Sequence, residues 1–302
     1  MRYLSFEHAG QASWGAIVEG TIVDFFSAGA ALGFAIPETL LGFIQLGPAH
    51  WSQANRIDAA FRSGRLSSGL YAVSDVRVLA PIPRPAKNIF ALGLNYAEHV
   101  AEGGSSRPLP DAPIYFTKVA SNVVGPDQPV VDDPELTVKL DWEAELAFVI
   151  GTGGRRISQD QALSHVFGYT ILNDISARDV QSGRGGQWFL GKNLQGSCPM
   201  GPYLVSADEI PDPQALEISL RVDGVEKQHS NTRQQIFSVA RVIADVSRYL
   251  ALESGDIFTT GTPSGVGSAR RPPEFLHPGD VVEAEIQSIG VLRTPIVGPS
   301  GQ

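Results

Sequence analysis

Cysteine is almost missing from this chain: one residue, Cys198, in 302. No disulfide can form within the chain, which fits a reducing compartment. Cys198 precedes Pro199 and has no neighbouring base in sequence, so it reads as a structural thiol rather than a nucleophile. Positive charge is scarce too. Against 32 aspartates and glutamates stand 23 lysines and arginines, a formal net charge of −9. An acidic surface argues against nucleic acid or an anionic membrane as the main partner. It leaves room for an acidic small molecule, because a bound cation reverses the local field. Long apolar runs are also lacking. The most apolar stretch, 28–46, is broken by Pro37 and Glu38, so it does not read as a membrane span. The first seven residues carry no apolar signal core, and the expected location is the cytoplasm.

What is present is an ordinary globular composition, 43% hydrophobic and 18% charged. At roughly 150 residues per domain, the length predicts two units. Residues 1–80 read as a small N-terminal α/β domain, with a hairpin turning at Glu19-Gly20 and a helix over 50–63. The run Ala80-Pro81-Ile82-Pro83-Arg84-Pro85 is a stiff extended connector, since each proline fixes φ and removes a donor. Residues 81–302 form the larger domain. Short apolar segments at 88–93, 113–117, 142–150, 167–173, 201–206, 215–222, 256–260 and 281–287 read as strands. One helix is expected to start at Ser158, with Gln161 completing a capping box. Another is expected over 232–252, where Ile236, Val239, Ile243, Val246 and Leu250 keep helical spacing and Gly255 stops it. Strands outnumber helices and seldom alternate with them. The fold class is therefore mixed α/β, predominantly β and largely antiparallel.

Chemistry concentrates in 140–150. Leu140, Trp142, Ala144, Leu146, Phe148 and Ile150 fall on one face of a strand; Asp141, Glu143, Glu145, Ala147 and Val149 fall on the other. Carboxylates aligned this closely repel unless something positive sits among them. A hard divalent cation, Mg²⁺, Mn²⁺ or Ca²⁺, resolves the conflict through oxygen ligands. The competing reading is a solvent-facing strand whose acids guard against aggregation. Asp174 ends the next apolar segment, Gly168 to Asn173, and would add a third carboxylate beside Glu143 and Glu145; its plainer role is to cap the following turn.

His99 is the leading acid–base candidate. Asn95 and Glu98 form a capping box, which places His99 and Glu102 at i and i+3 on one helical face. A carboxylate beside imidazole fixes its tautomer and raises its basicity. The plainer alternative is a surface pair of little energetic weight. His8, His50, His165, His229 and His277 read as structural or exposed. The following segment, Gly103-Gly104-Ser105-Ser106-Arg107-Pro108-Leu109-Pro110, reads as a lid over the site or a variable surface loop.

These motifs come in an order that resembles the fumarylacetoacetate hydrolase superfamily. The matching residues are Gly93-Leu94-Asn95-Tyr96 with His99 and Glu102, Asp141-Trp142-Glu143-Ala144-Glu145-Leu146, Gly168-Tyr169-Thr170, and Asn173-Asp174 through Gln181. They continue through Gly191-Lys192, Cys198-Pro199-Met200-Gly201-Pro202, Gly255-Asp256 and Thr260 to Gly267. The likeness covers about 85–297.

It implies a β-roll catalytic domain in a homodimer, with Glu143, Glu145 and Asp174 holding Mg²⁺ or Mn²⁺. His99 and Glu102 take the place of the family's water-activating pair. Lys192 matches its lysine that stabilises negative charge, and Arg178, Gln181 and Thr262 match substrate contacts. Asn193-Leu194-Gln195-Gly196-Ser197 departs from the pattern of many relatives. The expected substrate is a small 2-oxo acid. The expected reaction is hydrolytic C–C cleavage of an acylpyruvate, of fumarylpyruvate or maleylpyruvate type, in the breakdown of aromatic compounds. Alternatives are an oxaloacetate decarboxylase or tautomerase, an isomerase of 2-hydroxyhepta-2,4-diene-1,7-dioate type, and an inactive carboxylate-binding protein.

Overall fold

A computed structural model describes residues 1–102, 108–184 and 186–299. Residues 103–107, most of the segment read as a lid, lie outside the described residues. The fold is mixed α/β and dominated by sheet. One sheet of 12 strands runs in the order Leu70–Ala72, Thr21–Asp24, Gln11–Val18, Arg2–His8, Cys198–Ser206, Val166–Asn173, Ala144–Ile150, Ile257–Thr259, Ile89–Gly93 and Ile114–Lys118, with two short strands off this path. Along this path neighbours are antiparallel except where Ile257–Thr259 meets Ile89–Gly93. A second sheet of five strands is built around Glu217–Val222, Val281–Ile286 and Gly290–Val297.

Along Ala144–Ile150 and its partner Val166–Asn173, every residue is buried. Leu146, Phe148 and Ile150 pack into one apolar cluster, while Ala147 and Val149 pack into another on the opposite face. A strand buried on both faces reads as a continuous apolar run. The two faces divide as the alternation predicts, but the acidic face is buried as well instead of facing solvent. Chain pairing also breaks at Trp142-Glu143, between the strands Leu140–Asp141 and Ala144–Ile150. Glu143 and Glu145 are carboxylates inside a core, not guards on an edge.

The N-terminal hairpin turns at Glu19-Gly20, both at positive φ (50° and 81°), which suits a two-residue turn between twisted strands. The expected helix from Ser158 is only turns and a 3₁₀ segment, Ala162–His165. Its apolar periodicity ends there, because Val166-Phe167-Gly168 enters the central strand. The expected helix over 232–252 contracts to Val239–Val246. Ser238 takes the cap by accepting from Arg241 N at 3.2 Å, and Ile236 N is already bound to Asn95 O at 2.7 Å.

Candidate active site and metal centre

The sheet brings three loops to one end of the central strands. Glu143 lies in the break before Ala144–Ile150, Glu145 is the second residue of that strand, and Asp174 follows the last residue of Val166–Asn173. Two backbone-directed bonds lock the junction: Asp174 N donates to Glu143 O (2.9 Å), and Glu143 N donates to Asn173 Oδ1 (3.0 Å). One carboxylate oxygen from each of Glu143, Glu145 and Asp174 lies within 4.8 Å of the others, and all three residues are buried.

Cations surround this cluster. Lys192 Nζ bridges Glu143 Oε2 (2.8 Å) and Asp174 Oδ2 (2.7 Å). Arg178 Nη1 reaches Glu143 Oε1 (2.7 Å), and its Nε reaches Asp141 Oδ2 (2.7 Å). Lys118, fully buried, lies 2.7 Å from Asp174 Oδ1 and donates to Ile175 O at 3.1 Å and to Lys192 O. Its contact with Asp174 is an ion pair whose angle is unsuited to a hydrogen bond, so Asp174 Oδ1 keeps no hydrogen-bond partner. Burial pushes the Glu143 carboxyl up, but Lys192, Arg178 and His99 outweigh it and hold the group well below the usual range. Glu145 goes the other way: burial, Asp174 and Glu143 raise it well above the ordinary carboxylate value. Lys192 is penalised by burial, yet Asp174 and Glu143 leave it raised, so it stays an ammonium.

The donor set fits a hard divalent cation. All ligand atoms are carboxylate oxygens, as such ions prefer. Glu145 Oε2 accepts from Thr259 Oγ1 and from Gly261 N (2.7 Å), whereas Glu145 Oε1 is buried with no hydrogen-bond partner among the described residues. One orphaned buried oxygen, Glu145 Oε1, lies in this cluster, and a coordinating ion would satisfy it. Asp141 has a different task. It accepts from Gly267 N (2.7 Å), Ser268 N (3.0 Å) and Trp142 N (2.8 Å), and so ties the glycine-rich turn to the strand.

A cavity of about 160 Å³ opens over Glu143 and Lys192 and is also lined by His99, Arg178, Gln181 and Thr262. His99 sits on the helix Ala97–Glu102, with Nδ1 2.6 Å from Glu102 Oε1. Glu102 Oε2 accepts from Gly265 N (2.7 Å), which fixes the pair against the turn that Asp141 holds. The expected cap by Asn95 is not formed. Asn95 is fully buried, donates to Phe237 O (3.0 Å) and Thr260 O (2.8 Å), and accepts from Phe237 N (2.8 Å). Tertiary partners outcompeted the local one. Arg178 donates to Gln181 Oε1 (3.1 Å) and retains a buried Nη2 without a partner. The Thr262 hydroxyl donates to Ala144 O (3.0 Å) and accepts from Gln228 Nε2 (2.8 Å). His229 also has a carboxylate beside it, Glu226 at 2.9 Å, but both are exposed on the second sheet. Burial pushes the Cys198 thiol up to about 12, so it is inert at neutral pH.

Lys118 escaped the sequence reading. Its one signal is a charged residue closing the apolar run Ile114-Tyr115-Phe116-Thr117, which gains meaning only once Asp174 is placed against it.

A mixed, sheet-dominated fold with a buried carboxylate triad able to hold a divalent cation, beside a His–Glu pair, defines a known class. The chain belongs to the fumarylacetoacetate hydrolase family, whose C-terminal domain model matches residues 88–297. Within that family it is 43% identical over 263 residues to the oxaloacetate tautomerase YisK of Bacillus subtilis (strain 168), covering 86% of this chain and 87% of that one. It is 48% identical over 225 residues to a mitochondrial oxaloacetate tautomerase of Xenopus laevis, covering 74% and 69%. A fumarylacetoacetate hydrolase of Exiguobacterium antarcticum superposes with a TM-score of 0.83 at 34% identity, over 99% of this chain and all of that one.

These relatives overturn part of the sequence reading. Assignment to acylpyruvate hydrolases, with C–C hydrolysis and aromatic catabolism, gives way to likeness with oxaloacetate tautomerases. The reason is chemical. A carboxylate triad and a His–Glu base serve hydrolysis and tautomerisation alike, so the motifs identify the family without fixing its reaction. Among the described residues, no helix is long and apolar enough to cross a membrane.

Proposed function

We propose that this protein is a divalent-cation-dependent oxaloacetate tautomerase. The observation that carries the reading is its 43% identity, over most of both chains, to an oxaloacetate tautomerase. Glu143, Glu145 and Asp174 would hold the ion, Mg²⁺ or Mn²⁺ by their hardness. When bound, such an ion supplies Lewis-acid polarisation of the 2-oxo group.

The remaining work falls to side chains. An ionised Glu102 can only accept, so Nδ1 of His99 carries the proton and Nε2 is the free base. In the keto-to-enol direction, His99 Nε2 takes a proton from C3. The C–H electron pair becomes the C2–C3 double bond, the C2=O π pair moves onto the 2-oxygen, and the His99 imidazolium returns the same proton to that oxygen. No water is consumed. Lys192, held as an ammonium, offsets negative charge developing on that oxygen. The unpartnered Nη2 of Arg178 is a donor for a substrate carboxylate, with Gln181 and Thr262 completing the wall around it.

Assembly as a homodimer is part of this reading. The outer edge of Ile114–Lys118 ends the large sheet, and Ile114, Phe189, Leu190 and Tyr249 are exposed apolar groups on the surface.

The test follows enol-oxaloacetate absorbance with Mg²⁺- or Mn²⁺-loaded protein, with chelator controls and a parallel assay of fumarylpyruvate hydrolysis. We expect accelerated keto–enol interconversion that chelation abolishes. No acceleration over the buffer rate would sink the assignment.

A further inference from the structure

We infer that Trp188 sets the length of oxo acid that the cavity accepts. The inference rests on the proposed 2-oxo-acid chemistry and deepens it by naming the specificity determinant. The lining of the cavity over Glu143 combines charged groups, Glu143, Lys192 and Arg178, with the aromatic rings of Phe116 and Trp188. A void of about 150 Å³ accommodates benzene, while pockets for larger ligands run to roughly 300–1,000 Å³. At about 160 Å³, this cavity is matched to a compact four-carbon diacid rather than to a longer acylpyruvate.

Three contacts fix the indole as a wall. Its six-membered ring fills the space that a side chain at position 93 would need: a Cβ on Gly93 would lie 2.4 Å from Trp188 Cζ3 and 2.9 Å from Cη2. Gly93 is not at positive φ, so glycine there makes room for the ring rather than serving a turn. Phe116 meets the indole edge-on, with centroids 5.7 Å apart and planes at 72°, and the same Phe116 ring lies 5.1 Å from Lys192 Nζ. Finally, Lys192 N donates to Trp188 O at 3.0 Å. One turn of backbone therefore delivers both the ammonium and the indole, at a fixed separation. A substrate anchored on the charged groups and extended by further methylenes would meet the ring.

The ring is held by shape alone. Among the described residues its N–H makes no hydrogen bond and is not a stranded buried donor, so shortening the side chain leaves no unsatisfied group behind. A misfit of one methylene in a pocket is worth ~10–200-fold in discrimination.

The experiment compares wild type, Trp188→Phe and Trp188→Ala, each Mg²⁺-loaded. Calorimetry would measure binding of 2-oxoglutarate, 2-oxoadipate and 2-oxopimelate, beside the kcat and KM for oxaloacetate. We expect Trp188→Ala to bind the longest acid at least tenfold tighter relative to the shortest than wild type does, with Trp188→Phe between them. The KM for oxaloacetate should rise while kcat changes little. A length ratio unchanged in both variants overturns the inference. Should the alanine variant not fold, the phenylalanine variant decides by the same ratio. Because binding is read without turnover, wild type that discriminates by length but does not tautomerise would refute the proposed reaction and leave the role of Trp188 standing.

Discussion

At the scale of single residues, the site is an arrangement of opposed charges in which each group's state is set by its neighbours. His99 has one nitrogen committed to Glu102 and one facing the cavity. Replacing it with alanine removes the proposed base, and a general base typically contributes ~10²–10⁴-fold. We expect kcat for oxaloacetate tautomerisation to fall within that range while KM changes little. Glu102→Gln has one oxygen for two donors: kept on Gly265 N, it turns the amide NH2 toward Nδ1 and drives the imidazole proton to Nε2, so its loss should approach that of the alanine variant; steady-state kinetics of both variants check this.

Glu145 allows a second test at the same scale. Its raised pKa means that the metal-free protein keeps a proton there at pH values where the unfolded chain has lost it. The sign follows from linkage. The native state binds more protons than the unfolded state, so this group's contribution to stability falls as pH rises from the ordinary carboxylate value toward the raised one. An incoming cation must displace that proton, and its affinity must therefore rise with pH across the same window. Titration calorimetry of Mg²⁺ or Mn²⁺ in two buffers of different ionisation enthalpy should show release of about one proton at the lower end of the window. In Glu145→Gln the release should vanish together with most of the affinity. Equal heats in both buffers would refute the protonated state.

At the scale of elements, much was legible. The Glu19-Gly20 turn and the apolar runs that become Ile89–Gly93, Val166–Asn173 and Val281–Ile286 announce themselves by pattern. The triad was legible because Glu143, Glu145 and Asp174 each sit at a strand terminus or break where backbone geometry forces them together. Other features were not legible because long-range partners decide them. Asn95 carries the local signature of a helix cap, but Phe237 and Thr260 claim its amide from more than 140 residues away. That tether joins the His99 helix to the strand end that holds Glu145 through Thr259 and Gly261. Asn95→Ala should cost ~1–3 kcal/mol by leaving buried backbone groups unpaired. It should also lower kcat with metal affinity retained, because the helix loosens while the carboxylates stay in place. Urea unfolding and metal titration of the same variant separate the two effects. Normal kcat at the reduced stability would show that the tether serves folding alone.

At the scale of the whole molecule, the question is how residues 1–80 relate to the chemistry beyond the connector. The large sheet runs through both: Arg2 and Tyr3 pair with Val205 and Leu204. One apolar cluster takes Tyr3, Phe25 and Phe43 from before the connector and Phe167, Leu172, Met200 and Leu204 from after it. Tyr3 and Trp51 both pack against Phe167, tilted and edge-on respectively, with ring centroids 5.4 Å and 4.9 Å away. Phe167 belongs to the strand that ends at Asn173, next to Asp174 of the carboxylate cluster. A chain beginning after residue 80 would bare that apolar face and an unpaired edge on Cys198–Ser206, both of which promote association. We expect the fragment to aggregate in size-exclusion chromatography, and the intact chain to unfold in one urea transition seen alike by tryptophan fluorescence and circular dichroism. A monomeric fragment with wild-type metal affinity would show instead that the site is supported without the N-terminal strands. The shared cluster argues against that outcome, because the strand carrying Asp174 is packed on one face by residues that the fragment lacks.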